Sequence, residues 1–324
     1  MRSLALTFGQ ATQASSFYRI HQYIEPLREH GIALATCAAD DFHDWGSLRE
    51  NDAVIVQKKL LSLGKVRTVR RAAKTLVYDI DDAIWHPHGR QHSWWTRMRT
   101  HLRLRAIVRS ADLTLAANAV IAQKLRPWAR RLEVLPMSLD EKSWTPRTPG
   151  SGDTPVIGWS GHPVNLPYLE AIEPALAAAL RDFPNARLTV FSGERPRFRD
   201  LRHDFIPFEA GAEQRAIRTF DIGLLPLDEG AFAEGKSPIK GLQYMASGIP
   251  TILPARGAAQ SMFRSGETAL IANDHTEWAA ALGALLRDPQ RRAAMGASAR
   301  RDFDARHTLT GNAAILAQLL QSLT

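Results

Sequence analysis

One stretch in the second half of the chain combines the features of an anion-binding helix start. Residues 232–253 read FAEGKSPIKGLQYMASGIPTIL, and Ser237 precedes Pro238 at the head of an apolar pattern with helical spacing. Serine is a common helix N-cap, and proline is well tolerated at the first helical position. Such a start offers free backbone N–H groups and a positive dipole end, and Lys236 and Lys240 flank it. The pattern predicts a phosphate site, with an ordinary capped helix and two solvated lysines as the alternative.

Three aspartates and a histidine lie near the end of a strand that is predicted over Thr75–Ile80. Asp79, Asp81 and Asp82 have the close spacing of carboxylates that bind Mg²⁺ or Mn²⁺. Carboxylates at the end of a strand also cap the next helix or line a binding site, and one of them or His86 could orient a hydroxyl group. From spacing alone, a metal site, a structural role and a catalytic role all remain open.

The first half of the chain is strongly basic. Residues 1–150 contain 23 Lys and Arg against 14 Asp and Glu, whereas the remainder contains 18 against 19. This asymmetry favours anionic lipid, an anionic acceptor or nucleic acid as a partner of the first half. Trp94 and Trp95 begin the segment WWTRMRTHLRLRAIVRS, whose apolar anchors and cations are typical of helices at a membrane surface. Its arginines do not fall on one helix face, so a partly buried helix with solvated arginines is the alternative.

Length and composition limit the class of protein. The 324 residues are 45% hydrophobic and 23% charged, which is typical of a globular protein with two domains of ordinary size. We find no apolar run near the roughly 18 residues that cross a bilayer, and no signal peptide at the start. Cys37 is the only cysteine, which excludes a disulfide framework and a thiolate metal cluster. These features predict a cytoplasmic protein.

Strand-like and helix-like segments alternate along both halves. In the first half the patterns predict strands at Ser3–Phe8, Ile32–Cys37, Ala53–Gln57, Thr75–Ile80, Leu113–Ala116 and Leu132–Leu135, and an amphipathic segment at Phe17–His30. In the second half they predict strands at Val156–Trp159, Ala186–Ser192, Asp204–Phe208, Ile222–Pro226, Thr251–Leu253 and Thr268–Ile271, and helices at Leu166–Arg181, at Ala212–Thr219 and from about His275 onward. The Pro- and Gly-rich stretch at 145–155 predicts a linker.

This alternation predicts an α/β protein in which parallel sheets are covered by helices on both faces. Two such sheets in succession indicate two Rossmann-like domains that face each other across a cleft. Ligands of these sheets bind beyond the carboxyl ends of the strands. The GxGxxG fingerprint is absent, which argues against an NAD-binding enzyme.

Several motifs occur in a fixed order along the chain. They are ASSFYRIHQYIEPLREHGI and LVYDIDDAIW in the first half, and IGWSG (157–161), FSGERP (191–196), DIGLLPL (221–227), GKSPIKGLQYMASGIPTI (235–252) and RSGETALIA (264–272) in the second. Together they resemble the GT-B glycosyltransferases, specifically the large retaining group called glycosyltransferase family 4 or group 1. The resemblance covers nearly the whole chain.

The resemblance implies an acceptor domain over 1–148, a nucleotide-sugar donor domain over 149–306 and a last helix over 307–324 that crosses back to the first domain. It implies transfer of a sugar to a saccharide, lipid-linked or other hydroxyl acceptor, with retention of anomeric configuration. It implies no metal and no resident cofactor, because basic side chains and a helix N-terminus hold the donor diphosphate. Many relatives act on lipid-linked or envelope saccharides, which would place the enzyme at the inner face of the membrane.

Carried over residue by residue, the resemblance and the local patterns assign three sets of site residues. The catalytic set is Lys236, Lys240, Asp82 and His86. The donor-binding set is Ser160, Gly161, His162, Asn165, Gly193, Glu194, Arg195, Phe208, Glu234, Gly235, Ser237 and Gln243. The acceptor-side set is Gly9, Arg19, Asp79 and Asp81.

The sequence departs from the family pattern in two places. Gly235 and Gln243 stand where family members often have glutamates, although the Gln243 amide can still hydrogen-bond a ribose hydroxyl. The stretch 160–165 lacks the Arg and Lys that usually hold the diphosphate, which leaves Lys236 and Lys240 as the main candidates. Two alternatives therefore stay open: a GT-B glycosyltransferase that modifies nucleic acid, and a non-catalytic module that binds a nucleotide sugar or nucleic acid.

Overall fold

Two six-stranded parallel sheets organise the computed structural model, which describes residues 1–86, 92–147, 154–227 and 230–323. The first sheet contains β1 (Arg2–Thr7), β2 (Ala33–Ala38), β3 (Ala53–Gln57), β4 (Thr75–Ile80), β5 (Leu113–Ala116) and β6 (Leu132–Val134). The second contains β7 (Val156–Ser160), β8 (Arg187–Ser192), β9 (Asp204–Pro207), β10 (Ile222–Leu224), β11 (Thr251–Leu253) and β12 (Ala269–Ile271). The strand orders are β2-β1-β3-β4-β5-β6 and β12-β11-β10-β7-β8-β9, with every pairing parallel. The predicted α/β fold with two parallel sheets is confirmed.

Helices connect the strands in both sheets. In chain order they are α1 (Ala14–Arg19), α2 (Ile24–Glu29), α3 (Leu63–Ala72), α4 (Trp94–Ser110), α5 (Ala119–Leu125), α6 (Leu166–Ala171), α7 (Glu173–Asp182), α8 (Glu213–Ile217), α9 (Ala231–Glu234), α10 (Ile239–Ala246), α11 (Gly257–Ser261), α12 (His275–Arg287), α13 (Pro289–Arg306) and α14 (Leu309–Gln321). Short 3-10 helices occupy His21–Tyr23, Ser47–Glu50 and Pro163–Asn165.

Two compact units divide the chain. Unit 1 comprises Met1–Asp140, Gly230–Ser237 and Arg306–Thr324, and unit 2 comprises Glu141–Glu229 and Pro238–Ala305. The short insertion at Gly230–Ser237 is therefore grouped with the first sheet, although it lies between strands of the second in the sequence. The predicted domain boundary at 148/149 and residues 148–153 of the predicted linker lie outside the described residues.

The sheet of unit 1 is covered on both faces. Buried residues of α3, α4 and α5 pack on one face, and those of α2 and α14 pack on the other. Leu309, Leu316 and Leu320 of α14 are buried among β-strand residues such as Ile55 and Val77. The last helix therefore completes the core of unit 1. Burial of each large apolar side chain stabilises the fold by roughly 1.5–3 kcal/mol.

Two predicted helices are interrupted. The amphipathic segment Phe17–His30 forms α1, a 3-10 turn and α2: the backbone leaves helical geometry at Ile20, and Pro26 lies in the first turn of α2, where proline is tolerated. The segment Leu166–Arg181 is divided into α6 and α7, and Pro174 occupies the first turn of α7. Hydrophobic periodicity continues through both interruptions, so periodicity alone predicts a single helix in each case.

Candidate active site

The carboxyl edge of the first sheet carries the predicted acceptor-side residues. Ligands of open parallel sheets bind beyond this edge where the strand order reverses, which in unit 1 is between β1 and β3. Gly9 follows β1 at this point, and its N–H donates to Ser16 Oγ at 3.1 Å. A Cβ at position 9 would meet only the end of the Gln13 side chain, which is exposed.

Lys58, directly after β3, joins the two aspartates that follow β4. Its Nζ donates to Asp82 Oδ2 and lies 3.3 Å from Asp81 Oδ1, while Ser15 Oγ donates to Asp81 Oδ2 at 2.6 Å. Burial alone would lower the pKa of Lys58, but the two carboxylates raise it above its usual value. Burial and the Asp81 carboxylate raise the pKa of Asp82, against the opposing effect of Lys58 and Lys236. Lys58, which was not predicted, thus contacts two predicted site residues, Asp81 and Asp82.

Arg19 and Asp79 form an ion pair in the interior of unit 1, with side chains that are at most 3% exposed. Arg19 Nε donates to Asp79 Oδ2 at 3.1 Å, and Nη1 donates to the carbonyl oxygen of Leu135 at 2.8 Å. Burial raises the pKa of Asp79, and the Arg19 guanidinium opposes that rise. Both side chains are buried and bonded to one another, and they tie α1, β4 and the end of β6 together. Their acceptor-side role stays a prediction.

Asn118 fixes the segment between α9 and α10. Its Nδ2 donates to the Gly235 carbonyl oxygen at 3.0 Å and to Ser237 Oγ at 2.8 Å, and its Oδ1 caps α5. The prediction that Ser237 caps the next helix is wrong, because its hydroxyl binds Asn118 instead. Helix α10 begins at Ile239 after Pro238, and no side chain caps it. The predicted polar loop at 234–236 is also corrected in part, since Glu234 ends a short helix, α9.

The absence of a glutamate at position 235 has a steric cause. A Cβ at Gly235 would lie 2.5 Å from the Cβ of Ala83, so no side chain fits there. Glu234 is exposed at the end of α9. Lys236 follows, and its charge acts on Asp82 to lower the pKa of that carboxyl group. Lys236 is therefore placed beside a predicted catalytic residue of unit 1.

His86 is partly buried near the same edge. Its N–H donates to the Ala83 carbonyl oxygen at 2.9 Å, and its ring centroid lies 6.0 Å from that of Trp85. Burial, with Lys124 and Arg97, lowers the pKa of the imidazole below its ordinary value. The imidazole is therefore mostly neutral at neutral pH, the form that can accept a proton.

In unit 2 the strand order reverses between β7 and β10, and Ser160 lies at the carboxyl end of β7. The Ser160 N–H donates to Tyr244 Oη at 3.0 Å, and Tyr244 Oη lies 3.3 Å from the Leu224 carbonyl oxygen. Tyr244 of α10 thereby joins the ends of β7 and β10. Ser160 Oγ is buried and has no hydrogen-bond partner among the described residues.

The segments after β7, β8 and β9 lie side by side. A Cβ at Gly193 would lie 3.2 Å from Pro163, and the Phe208 N–H donates to the Ser192 carbonyl oxygen at 2.8 Å. Phe208 is exposed, with its ring 5.6 Å from that of Phe191. Ser192 Oγ, like Ser160 Oγ, is buried without a partner in the described part of the chain. The predicted donor residues of these segments therefore share one edge.

The other predicted donor residues of these segments have local contacts. The Gly161 N–H donates to the Phe191 carbonyl oxygen at 3.1 Å, and His162 Nδ1 accepts from Val164 at 3.3 Å. The guanidinium of Arg195 lies 4.6 Å from the ring centroid of Phe205. Asn165 Oδ1 is buried, and Glu194 is exposed.

Glu213 of α8 binds two predicted site residues of α10. It accepts from Lys240 Nζ at 2.6 Å and from Gln243 Nε2 at 3.4 Å. The Glu213 and Lys240 side chains are 26% and 20% exposed, so the pair remains accessible from solvent. Lys240, a predicted catalytic residue, is thus paired with a carboxylate of α8. A carboxylate nevertheless lies beside position 243, where glutamine replaces glutamate.

Three residues at these edges were missed by the sequence analysis: Lys58, Ser192 and Glu213. Ser192 lies next to the predicted Gly193 and could have been included with it. Nothing local marks Glu213 or Lys58, because each acts on residues more than twenty positions away in the sequence.

Within the described residues, no three or more His, Cys, Asp or Glu side chains are grouped so that they could hold a metal ion. No described helix has both the length and the apolarity needed to cross a membrane.

Comparisons with known proteins agree with this architecture. Residues 173–318, which include Ser192, Glu213 and α10, match the family model described as Glycosyl transferase-like. The fold is similar to that of sucrose-phosphate synthase (tll1590) from Thermosynechococcus elongatus, at 16% identity over 99% of this chain and 98% of that chain, with a TM-score of 0.72. It is also similar to Anabaena Alr3699/HepE in complex with UDP-glucose, at 15% identity over 99% of this chain and 100% of that chain, with a TM-score of 0.70.

A third similar structure is the pneumococcal O-GlcNAc transferase GtfA in complex with UDP and GlcNAc. Its identity is 12%, its TM-score is 0.60, and the match covers 84% of this chain and 56% of that chain. No curated protein sequence matches this chain at a significant level. The two parallel sheets and the similar structures define a GT-B fold with two Rossmann-like units. The family match and this fold confirm the predicted resemblance to GT-B glycosyltransferases and the predicted class of enzyme, a glycosyltransferase.

Proposed function

We propose that this glycosyltransferase moves a sugar from a nucleotide sugar to a hydroxyl group of a saccharide or lipid-linked acceptor. UDP sugars are the first donors to test, because similar structures contain UDP, UDP and glucose, or UDP-glucose. We assign donor binding to the carboxyl edge of the second sheet and acceptor binding to that of the first. Membership of the retaining family 4 is part of the proposal and follows from the ordered motifs.

The observation that carries the proposal is the contact of Glu213 with Lys240 and Gln243, within the family-matched region. A nucleotide sugar presents ribose hydroxyls, which donate hydrogen bonds, and an anionic diphosphate. The partly exposed Glu213 carboxylate and the Gln243 amide suit the hydroxyls, and the Lys240 ammonium suits an anion. Glu213 would thereby supply the carboxylate that position 243 lacks, and Ser160 and Ser192 would supply further hydroxyl groups.

The proposed transfer needs no metal and no resident cofactor. The acceptor oxygen bonds to the anomeric carbon, while the bond from that carbon to the diphosphate breaks and leaves its electron pair on the diphosphate. The acceptor proton passes to the departing phosphate, and the new bond forms on the face that the leaving group vacates, which retains configuration. Asp82 accepts a hydrogen bond from the acceptor hydroxyl and orients it. Lysine side chains, Lys236 among them, offset the growing negative charge of the leaving group.

A panel of UDP, GDP, CDP and dTDP sugars at millimolar concentration tests the donor. The true donor raises the melting temperature of the protein, and transfer to added saccharides is followed by nucleotide release. Glu213→Gln should weaken binding of that nucleotide about ten- to hundredfold, because a charged hydrogen-bond partner is lost. Glu209→Gln is the matched control, since Glu209 forms an exposed pair with Arg215. Binding without turnover of any donor would instead favour a non-catalytic module.

Lys236 provides a separate test of diphosphate binding. Lys236→Ala should weaken binding of the nucleoside diphosphate far more than binding of the nucleoside, because only the first carries the negative charge that the lysine offsets. Calorimetric titration of both ligands gives the two affinities. Equal losses for the two ligands would count against a diphosphate role for Lys236.

Peripheral contact with an anionic membrane is the second part of the proposal, and α4 supports it. Four apolar side chains lie within about 100° of one another around this helix, outside the sector that holds its buried residues Leu104, Ile107 and Val108. They are exposed by 64% at Trp94, 68% at Trp95, 37% at Met98 and 46% at Leu102. Arg97, Arg99, Arg105 and Arg109 of the same helix are also exposed. Exposed aromatic anchors beside arginines suit the boundary between anionic headgroups and acyl chains.

Co-sedimentation with vesicles of phosphatidylglycerol and phosphatidylcholine tests this contact. The bound fraction should rise with phosphatidylglycerol and fall with salt. The double substitution Trp94→Ser, Trp95→Ser should weaken binding about tenfold or more, since it removes two apolar anchors. Val134→Ser, at an exposed position of β6, is the control. The absence of binding at low salt would end the membrane proposal without affecting the proposed transferase activity.

A further inference from the structure

The backbone at Lys58 is strained. Lys58 has φ of 57°, the only positive φ at a residue other than glycine in the described part of the chain. A left-handed conformation costs such a residue roughly 1–2 kcal/mol, and strained residues persist where the surrounding structure determines them. The Lys58 N–H donates to the Asp79 carbonyl oxygen at 2.7 Å, and the Lys59 N–H donates to the Gln57 carbonyl oxygen at 2.6 Å. These bonds hold a tight turn at the end of β3.

This turn directs the Lys58 side chain between the carboxylates of Asp81 and Asp82. The side chain is only 12% exposed, with Nζ bonded to Asp82 and 3.3 Å from Asp81 Oδ1. The Phe8 ring, whose centroid is 5.4 Å from Nζ, packs beside the ammonium. Because β1 and β3 flank the reversal of strand order, Lys58 lies where a ligand of this sheet would bind.

The two aspartates differ in how much of each remains accessible. Asp81 is 7% exposed, and its two oxygens face Ser15 and Lys58. Asp82 is 23% exposed, and its contact with Lys58 uses Oδ2. Asp82 is therefore the carboxylate that can approach a substrate, while Asp81 contributes a second negative charge that keeps the ammonium in place.

We propose that Lys58 is a positioning residue for sugar transfer: its ammonium fixes the Asp82 carboxylate in one orientation and keeps it ionised, so that Asp82 accepts a hydrogen bond from the acceptor hydroxyl. The inference rests on the proposed transferase function. It assigns a role to a residue that neither the sequence motifs nor the family match singles out.

Loss of the Lys58 charge has a defined electrostatic consequence. Asp82 faces Asp81 from the same loop, Lys58 from the end of β3 and Lys236 from the segment after α9. Burial and Asp81 raise the pKa of Asp82, and the two lysines oppose that rise. An opposite charge at hydrogen-bond distance typically lowers the pKa of a carboxylate by about 1–3 units. Without Lys58 the pKa of Asp82 should rise, and Asp82 would protonate at a higher pH.

The test compares the pH dependence of transfer by the wild type, Lys58→Met and Lys58→Arg, with the donor found in the nucleotide-sugar panel. Lys58→Met should lower kcat/KM at neutral pH about tenfold or more and move the acid limb of the profile upward by about 1–3 pH units. Lys58→Arg keeps the charge and should return the acid limb to within about half a unit of the wild-type position. Lys59→Met is the control, since Lys59 pairs with the exposed Asp40.

Each outcome discriminates between a positioning role and a structural one. A lower kcat for Lys58→Met with an unmoved acid limb would overturn the proposal and leave Lys58 as a structural ion pair. A profile equal to that of the wild type would overturn it as well. If Lys58→Met does not fold, Asp82→Glu is compared with the wild type and with Lys58→Arg. An acid limb of Asp82→Glu that coincides with that of the wild type would contradict the proposal. Failure of the proposed function is distinct, because the wild type would then transfer no sugar at all.

Discussion

The two carboxyl edges differ in how most of their buried polar groups are partnered. At the first, charged groups are paired with one another, as in Arg19–Asp79 and in the contacts of Lys58 with Asp81 and Asp82. At the second, the hydroxyls of Ser160 and Ser192 are buried without partners in the described residues. Buried polar groups normally have hydrogen-bond partners, so these two hydroxyls remain able to bond to a ligand. The first edge is preorganised by its own charges, and the second is suited to a ligand that brings the missing partners.

The largest expected effect is on the stability of unit 1. Arg19→Met should lower the free energy of unfolding by about 3–5 kcal/mol, because it leaves the Asp79 carboxylate buried without its partner. Lys240→Met, which breaks the partly exposed pair with Glu213 in unit 2, should cost about 1 kcal/mol or less. Urea denaturation of the two variants measures the difference. A smaller loss for Arg19→Met than for Lys240→Met would contradict the contrast between the two edges.

A smaller effect is expected where the segment 230–237 meets the first edge. Gly235→Ala should cost about 1–3 kcal/mol, because its Cβ would overlap Ala83. The double variant Gly235→Ala, Ala83→Gly should recover much of that loss, since it removes the overlapping methyl group. Gly64→Ala is the control, because a Cβ there meets nothing within 4 Å and alanine favours the helix. Thermal unfolding compares these three variants with the wild type, and a double variant no more stable than Gly235→Ala would show that the two residues do not overlap.

The smallest effect compares two buried serines. Ser16 Oγ accepts from Gly9 and bonds to Gln57 Oε1, so Ser16→Ala should destabilise the protein by about 1 kcal/mol. Ser192→Ala removes a hydroxyl with no partner and should leave stability unchanged or raise it by up to about 1 kcal/mol. Denaturation midpoints measure both changes, and nucleotide titration should show weaker binding for Ser192→Ala alone. Equal destabilisation by the two substitutions would show that Ser192 is already satisfied.

Much of the fold could be predicted because several strands, among them β3, β4, β5 and β11, are short apolar runs that are buried throughout. β3, β4, β5 and β11 have the predicted bounds, and the other predicted strands differ by one or two residues at their ends. The start of α10 was predicted wrongly. Ser237 is a residue type that commonly caps helices, but its hydroxyl accepts a hydrogen bond from Asn118 and does not cap α10. Local propensity cannot reveal such a contact, since the two residues are distant in the sequence.

The candidate site was predictable where a motif is continuous in the sequence. Asp81 and Asp82 follow a strand, and Gly193 and Phe208 follow two others, so strand ends alone indicate them. Lys58 and Glu213 depend on the order of strands in the sheet and on the packing of α8 against α10, which no local pattern encodes. The steric reason for Gly235 likewise appears only when Ala83 is seen beside it.

Nucleotide binding by two variants tests most directly whether the donor binds at the second sheet and the acceptor at the first. Isothermal titration with the preferred nucleoside diphosphate should give Glu213→Gln a dissociation constant at least about tenfold weaker than that of the wild type. Asp82→Asn should bind the nucleotide as the wild type does but transfer sugar at least about a hundredfold more slowly. Weaker nucleotide binding by Asp82→Asn, or unchanged binding by Glu213→Gln, would contradict the assignment of the donor to the second edge and the acceptor to the first.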